Sequence, residues 1–379
     1  MTMAEPRLLF VLSADYGELS NALYFLRGYG FHAHLLMPER LLEANRGELS
    51  VPASAYRTLA DILEHVEGQP PDAVFLFSGY LYAVNQLLGL TEVESLVRAL
   101  RTRGMRTVVG DPFLGLLQQP GPSPFSDRHP RKAWLTEHFG TLVRLFAELP
   151  HVYLARPART GSTPQIVFFN PRLSSDAAER ARLRGRLADI GADPARAHWL
   201  FVLAGEDYGA QAARLGAQRF EALLRERLGD AARCGRQAVL VAPQPCAERI
   251  AAAAIPGVRA LSFCSHALFN ALLLTAEHAF YWNLFSNSAT ARLANGLPVL
   301  YFDAGHMAQA IPPLLELGMQ SYFPEGQFEL LDLSRPLEPT ALEEPASVQQ
   351  RSLARAHVRL REAPAPDQVL ASLLDAGAR

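Results

Sequence analysis

Residues 276–302, AEHAFYWNLFSNSATARLANGLPVLYF, carry the reading that decides the fold. An apolar run, Ala279–Trp282, is followed by a polar turn, a short helical segment, Ala289–Ala294, the tripeptide Gly296-Leu297-Pro298 and a second apolar run, Val299–Phe302. Short runs that are apolar throughout suit strands buried on both faces of a parallel sheet, and the helix between them supplies the crossover that parallel pairing requires. Ser286, Asn287 and Ser288 stand where that helix begins, and such residues cap helix N-termini. A helix start carries unpaired N–H groups and partial positive charge, which suits a phosphate. Any strand–helix–strand unit needs a capped helix, however, so spacing alone favours a purely structural role. Gly296 fits the position just past the helix, and Pro298 prevents its continuation.

The same rhythm extends in both directions. In the first half, Leu8–Leu12, Phe31–Met37, Ala73–Phe77, Thr107–Val109 and Gln165–Phe169 read as five strands, with helices over Leu19–Gly28 and Leu87–Leu100. Gln118–Arg131, rich in Pro, Ser and Gly, reads as a long loop beyond a strand's carboxyl end. Pro171–Pro194 begins in a turn and continues as a charged helix, the expected connector. The pattern restarts at Trp199–Leu203, followed by a loop over Ala204–Gly209, a helix over Phe220–Leu228, strands at Ala238–Val241 and Val258–Leu261, and a helix over Ala267–Thr275. Val348–Ala376 is helical in composition. The prediction is an α/β protein of two Rossmann-like domains with parallel sheets facing a cleft. Residues 1–172 form the first domain, 195–340 the second, and 345–379 a helical tail packing back across them.

Length and charge narrow the class. At 379 residues the chain exceeds one ordinary core and suits two of about 150 residues each. A net charge of −2 gives no global attraction to nucleic acid or an anionic membrane, although it leaves peripheral membrane contact through a local patch open. Three cysteines with no C-x-x-C pair fit a reducing compartment. No run approaches the roughly 18 apolar residues of a membrane span, and the N-terminal apolar run is too short for a signal peptide, so a cytoplasmic protein is expected. His198, His266 and His278 lack metal-ligand spacing, and no metal site or cofactor is expected. The Walker, dinucleotide and nucleophile-elbow motifs are missing from the sequence.

The loop after the first strand, Ser13–Ser20, contains Asp15, Gly17 and Glu18. Gly17 would let the backbone approach a ligand, and either carboxylate is a candidate general base. The plainer alternative is that Asp15 or Ser13 caps the next helix and Glu18 satisfies its first-turn N–H groups. Asp111, after the fourth strand, is a third candidate base, or simply a turn residue before Pro112. His306, in Asp303–His306 after the last strand, is placed to approach a sugar or phosphate, although a loop histidine is more often solvated. Arg128, His129, Arg131 and Lys132 form a basic cluster that would close over an anion or face solvent.

In its order of apolar strand, small polar turn, helix, Gly-Leu-Pro and apolar strand, the second half resembles the donor-binding domain of the GT-B glycosyltransferases. Ser262–Phe263–Cys264 resembles the loop that holds the nucleotide base there, and Gly205 and Glu206 resemble the donor domain's first loop. The resemblance implies metal-independent transfer of a sugar from a nucleotide-diphosphate co-substrate to an acceptor. It implies that Ser286, Asn287 and Ser288 cradle the diphosphate, with Ala289 beside them in the donor site, and that Phe263 covers the base. Glu206, Arg292 or His306 would contact phosphate or sugar, and Asp15, Glu18 or Asp111 would deprotonate the acceptor. One departure stands out. Where many members carry a ribose-binding glutamate before the Gly-Leu-Pro turn, this chain has Ala291 and Arg292. That leaves open a nucleotide-sugar epimerase or hydrolase of the same architecture, or a binding protein without catalysis.

Overall fold

The computed structural model describes residues 6–13, 16–84, 87–119, 123–129, 131–153, 165–323 and 328–375. The chain divides into two compact units. One comprises Met1–Leu173, Ala310–Leu317 and Arg359–Arg379, and the other Ser174–Gln309 and Gly318–Val358.

The first unit begins β1 (Arg7–Leu12), α1 (Tyr16–Leu26), β2 (His32–Pro38), α2 (Glu39–Ala44), β3 (Ala53–Tyr56) and α3 (Leu59–Gly68). It continues with β4 (Ala73–Phe77), α4 (Gly79–Val84), α5 (Leu90–Thr102), β5 (Arg106–Gly110), α6 (Lys132–Phe146), β6 (His151–Tyr153) and β7 (Gln165–Val167). The seven strands run in the order β3-β2-β1-β4-β5-β6-β7, every pairing parallel. β1 and β4 are apolar almost throughout because helices cover both faces of the sheet. Phe10 and Phe75 are in register across them and stack at 4.7 Å.

The second unit follows with α7 (Ala177–Gly185), β8 (His198–Val202), α8 (Gly205–Leu215), α9 (Ala217–Arg233), β9 (Gln237–Val241) and α10 (Gln244–Ala252). Then come β10 (Val258–Leu261), α11 (His266–Thr275), β11 (His278–Tyr281), α12 (Asn287–Ala294) and β12 (Val299–Tyr301). Its five strands run β10-β9-β8-β11-β12, again all parallel. The stacked phenylalanines recur: Phe201 on β8 and Phe280 on β11 are in register with centroids 4.6 Å apart. The last helices are α13 (His306–Ala310), α14 (Pro312–Tyr322), α15 (Pro339–Leu360) and α16 (Pro366–Asp375). Val369 and Leu370 of α16 are buried in the core of the first unit with Phe10, Phe25 and Phe75.

Three expectations need correction. Gln165 opens the seventh strand, not the fifth, because β3 and β6 escape notice in the sequence. β3 reads ASAY and is mostly half-buried, and β6 has only three residues, so neither offers an apolar run. Ala204–Gly209 is not a loop. Its glycines suggest a turn, but α8 begins at Gly205, and Glu206 and Asp207 sit in its first turn, where negative charge complements the helix dipole. Arg292, expected as a phosphate contact, is instead buried among backbone carbonyls.

Candidate functional site

In an open parallel sheet, ligands bind beyond the carboxyl ends of the strands where the strand order reverses. In the second unit that point lies between β8 and β11, so the decisive segments are the start of α8, the β11–α12 loop and the loop after the neighbouring β12.

Ser286 is the N-cap of α12 by backbone conformation, yet its hydroxyl makes no cap hydrogen bond. It pairs instead with Ser288 Oγ at 2.7 Å, and Ser288 donates to the Tyr281 hydroxyl at 3.2 Å. Tyr281 is sealed at the end of β11, and burial pushes its phenol up to about 12, so it is a neutral anchor for the serine pair. Ala289, buried, keeps the first turn of α12 small. At the other end Gly296 takes the left-handed conformation expected of the residue past the helix.

Arg292, on α12, is fully buried. Its Nε donates to the carbonyl of Pro298 at 2.8 Å, and its Nη atoms to those of Leu273, Ala276 and Glu277. A guanidinium engaged this way fastens the end of α11 to the Gly-Leu-Pro turn and has no face for a phosphate. Desolvation lowers it to about 10, still charged at neutral pH.

The loop after β12 is tied to α8. His306 meets the buried Asp207, its backbone N–H at 2.9 Å and its Nδ1 at 2.8 Å from Oδ1. Asp303 accepts from Gln211 at 2.6 Å and lies 3.3 Å from Arg214. Asp207, Gln211 and Arg214 therefore share one face of α8, as their spacing of four and three residues dictates. That spacing was available in the sequence, but reading the segment as a loop hid it. Asn283, after β11, also belongs to this group: its side chain lies where a Cβ on Gly305 would be, 2.8 Å from its Oδ1, and Gly305 has φ +99°.

The remaining residues expected at the donor end are dispersed around the same edge. Gly205 and Glu206 are exposed at the start of α8. Ser262 is exposed and Phe263 is 39% exposed, an unusual setting for a phenylalanine, after β10. Ser265 caps α11, accepting from the Leu268 N–H at 3.2 Å.

In the first unit the strand order reverses between β1 and β4. The carbonyls of Val11 and Leu12 accept from the hydroxyls of Tyr82 and Tyr56, each at 2.6 Å, so the end of β1 is fixed. Gly17 and Glu18, the latter 5% exposed, both lie in the first turn of α1, which begins at Tyr16 inside the segment expected to be a loop. Asp15 lies outside the described residues. Asp111 is buried, with Oδ1 accepting from the Phe113 N–H and Oδ2 from the Gly115 N–H, both at 2.8 Å. It fastens the turn after β5, and burial pushes it up to about 6. The basic cluster is divided among local partners: Lys132 pairs with Asp127 and Arg131 donates to the Val84 carbonyl. His198 is a core residue bonded to the Leu272 carbonyl. Among the described residues no cluster of His, Cys, Asp and Glu has the makings of a metal site, and no helix is long and apolar enough to cross a membrane.

No protein-family profile and no curated protein matches the chain. Solved structures do. Phytolacca americana UGT2, complexed with UDP-2-fluoro-glucose and pterostilbene, superposes with a TM-score of 0.56 at 12% identity, over 99% of this chain and 100% of that one. The glycosyltransferase VinC, in complex with dTDP, gives 0.53 at 14% identity over 98% and 100%. A UDP-glucosyltransferase from Polygonum tinctorium gives 0.52 at 13% identity over the full length of both. At these identities the likeness is one of architecture, and it spans both parallel sheets: the chain has the fold of the GT-B glycosyltransferases.

Proposed function

We propose that the chain transfers a sugar from a nucleotide-diphosphate donor held at the carboxyl edge of the β8–β12 sheet to an acceptor served by the β1–β7 unit. The observation that carries this reading is the start of α12. Its N-cap serine leaves the helix uncapped by side chain, pairing with Ser288 instead, in a fold shared with glycosyltransferases. Backbone N–H groups there and the two serine hydroxyls would meet a diphosphate. Phe263 would stack on the base, and Glu206 and His306 would meet sugar or phosphate. Charge developing on the leaving diphosphate would be stabilised by these fixed dipoles, with no metal or cofactor taking part. Asp15 or Glu18 would accept the acceptor's proton. Asp111, with both oxygens already engaged, ranks behind them. The sparse cysteines support a cytoplasmic setting.

Calorimetric titration with UDP-glucose and dTDP-glucose tests the donor site. Saturable binding is expected, and Ser288→Trp or Asn287→Trp should abolish it while leaving the circular dichroism spectrum intact. Affinity unchanged by both substitutions places the site elsewhere. A second reading, a nucleotide-binding protein without catalysis, is favoured by Ala291 and the sealed Arg292, which leave the ribose without its usual carboxylate. Binding without consumption of the nucleotide sugar, with or without acceptors, would select it. Consumption without any acceptor would select an epimerase or hydrolase.

A further inference from the structure

Asp207 is 2% exposed, and a carboxylate so placed is costly unless its charge is met. The first turn of α8 favours negative charge, and His306 supplies two hydrogen bonds to one oxygen. A carboxylate only accepts, so Nδ1 of His306 carries a proton. With Nδ1–H directed at Asp207, Nε2 is the nitrogen left for a ligand. The backbone leading into His306 is also constrained. Gly305, immediately before it, has φ +99° and lies against Asn283, so the β11–α12 loop sets where His306 begins. The imidazole is 24% exposed, neither sealed nor fully solvated. It follows β12, and β12 pairs with β11, whose loop leads into α12. Asp303, three residues before His306, is held by Gln211 and Arg214.

We infer that Asp207 is a positioning residue that fixes the tautomer and aim of His306, and that His306 Nε2 hydrogen-bonds the diphosphate of the nucleotide-sugar ligand. This rests on the donor site proposed above and names the side chain that would recognise its anionic part. With Nδ1 committed to Asp207, a protonated Nε2 donates to a phosphate oxygen, a charge-assisted bond of the stronger kind.

Two-bond proton–nitrogen spectra of the histidine rings test this in the full-length protein, with His306→Gln identifying the His306 signals. In the wild type, Nδ1 should carry the proton, and UDP should move the Nε2 resonance toward that of a protonated nitrogen. Asp207→Asn keeps an acceptor for the His306 backbone N–H, so its melting temperature should stay close to wild type. Its ring should nevertheless become a mixture of tautomers, and UDP affinity should fall about tenfold, the loss expected for one charge-assisted hydrogen bond. His306→Gln should lower affinity similarly. An unaltered tautomer in Asp207→Asn overturns the positioning role. A His306 response to UDP-glucose but not to UDP overturns the diphosphate assignment. UDP binding that leaves His306 unmoved overturns the inference while the donor site stands, whereas a wild type that binds neither UDP nor UDP-glucose overturns both.

Discussion

Arg292 is sealed from water without a carboxylate beside it, and four carbonyl groups take the place of one counter-ion. The arrangement holds because carbonyls at the end of α11 and in the Gly-Leu-Pro turn lack helical or strand partners, and the planar guanidinium reaches several at once. Arg292→Met, similar in length, would leave those carbonyls buried and unpaired. We expect it to lower stability by about 3 kcal/mol or more, the scale set by breaking a buried polar network, as measured by denaturant unfolding. A loss under about 1 kcal/mol, the size of an ordinary surface change, would mean that water or a neighbour replaces it. The sequence could not distinguish this role from a phosphate contact, because residue type gives a side chain's chemistry and not the direction in which its helix turns it. Asp111 teaches the same lesson. Its candidacy as a base came from its place after a strand, but the turn closing over it takes both oxygens.

At the level of elements, the connection between α14 and the start of α12 is the more consequential. The Phe285 ring, in the β11–α12 loop, occupies the space a side chain at residue 318 of α14 would need. Gly318→Ala should therefore displace Phe285 and with it Ser286 and Ser288, one and three residues further along at the head of α12. The expected result is weaker UDP-glucose binding with helix content preserved, although no residue proposed to touch the ligand has changed. Titration calorimetry beside circular dichroism would show it, and full affinity in the variant would show that the loop absorbs the displacement. The strands other than β3 and β6 were legible in the sequence, and the segment 276–302 was read almost residue for residue, because its apolar runs and its Gly-Leu-Pro exit have few structural alternatives. β3, β6, α8 and the helices α2, α3, α4, α6, α10, α13 and α14 were not identified. The two strands are short or half-polar and held by their neighbours, and the glycines of α8 mimic a turn.

For the molecule as a whole, burial of histidines governs the response to acid. His34 and His151 in the first unit and His198 in the second are each pushed by burial down to about 4, from 6.5. Between these values the unfolded chain binds protons that the folded chain refuses, so stability is full above about 6.5 and is lost as the pH falls toward 4. Asp111, raised to about 6 by burial, works in the opposite direction but is one group against three. The melting temperature should therefore decline from pH 6.5 to 4, and a flat or rising profile in differential scanning fluorimetry would contradict this account. Within the whole, α16 carries a different consequence. Val369 and Leu370 complete the core around β1 and β4, and the Phe169 N–H donates to the Pro364 carbonyl at 3.1 Å. A ribosome makes β1 and all of the second unit before it reaches α16. The first unit's core must then stay open until the other has been synthesised, so the order of translation and the order of completion run opposite to each other.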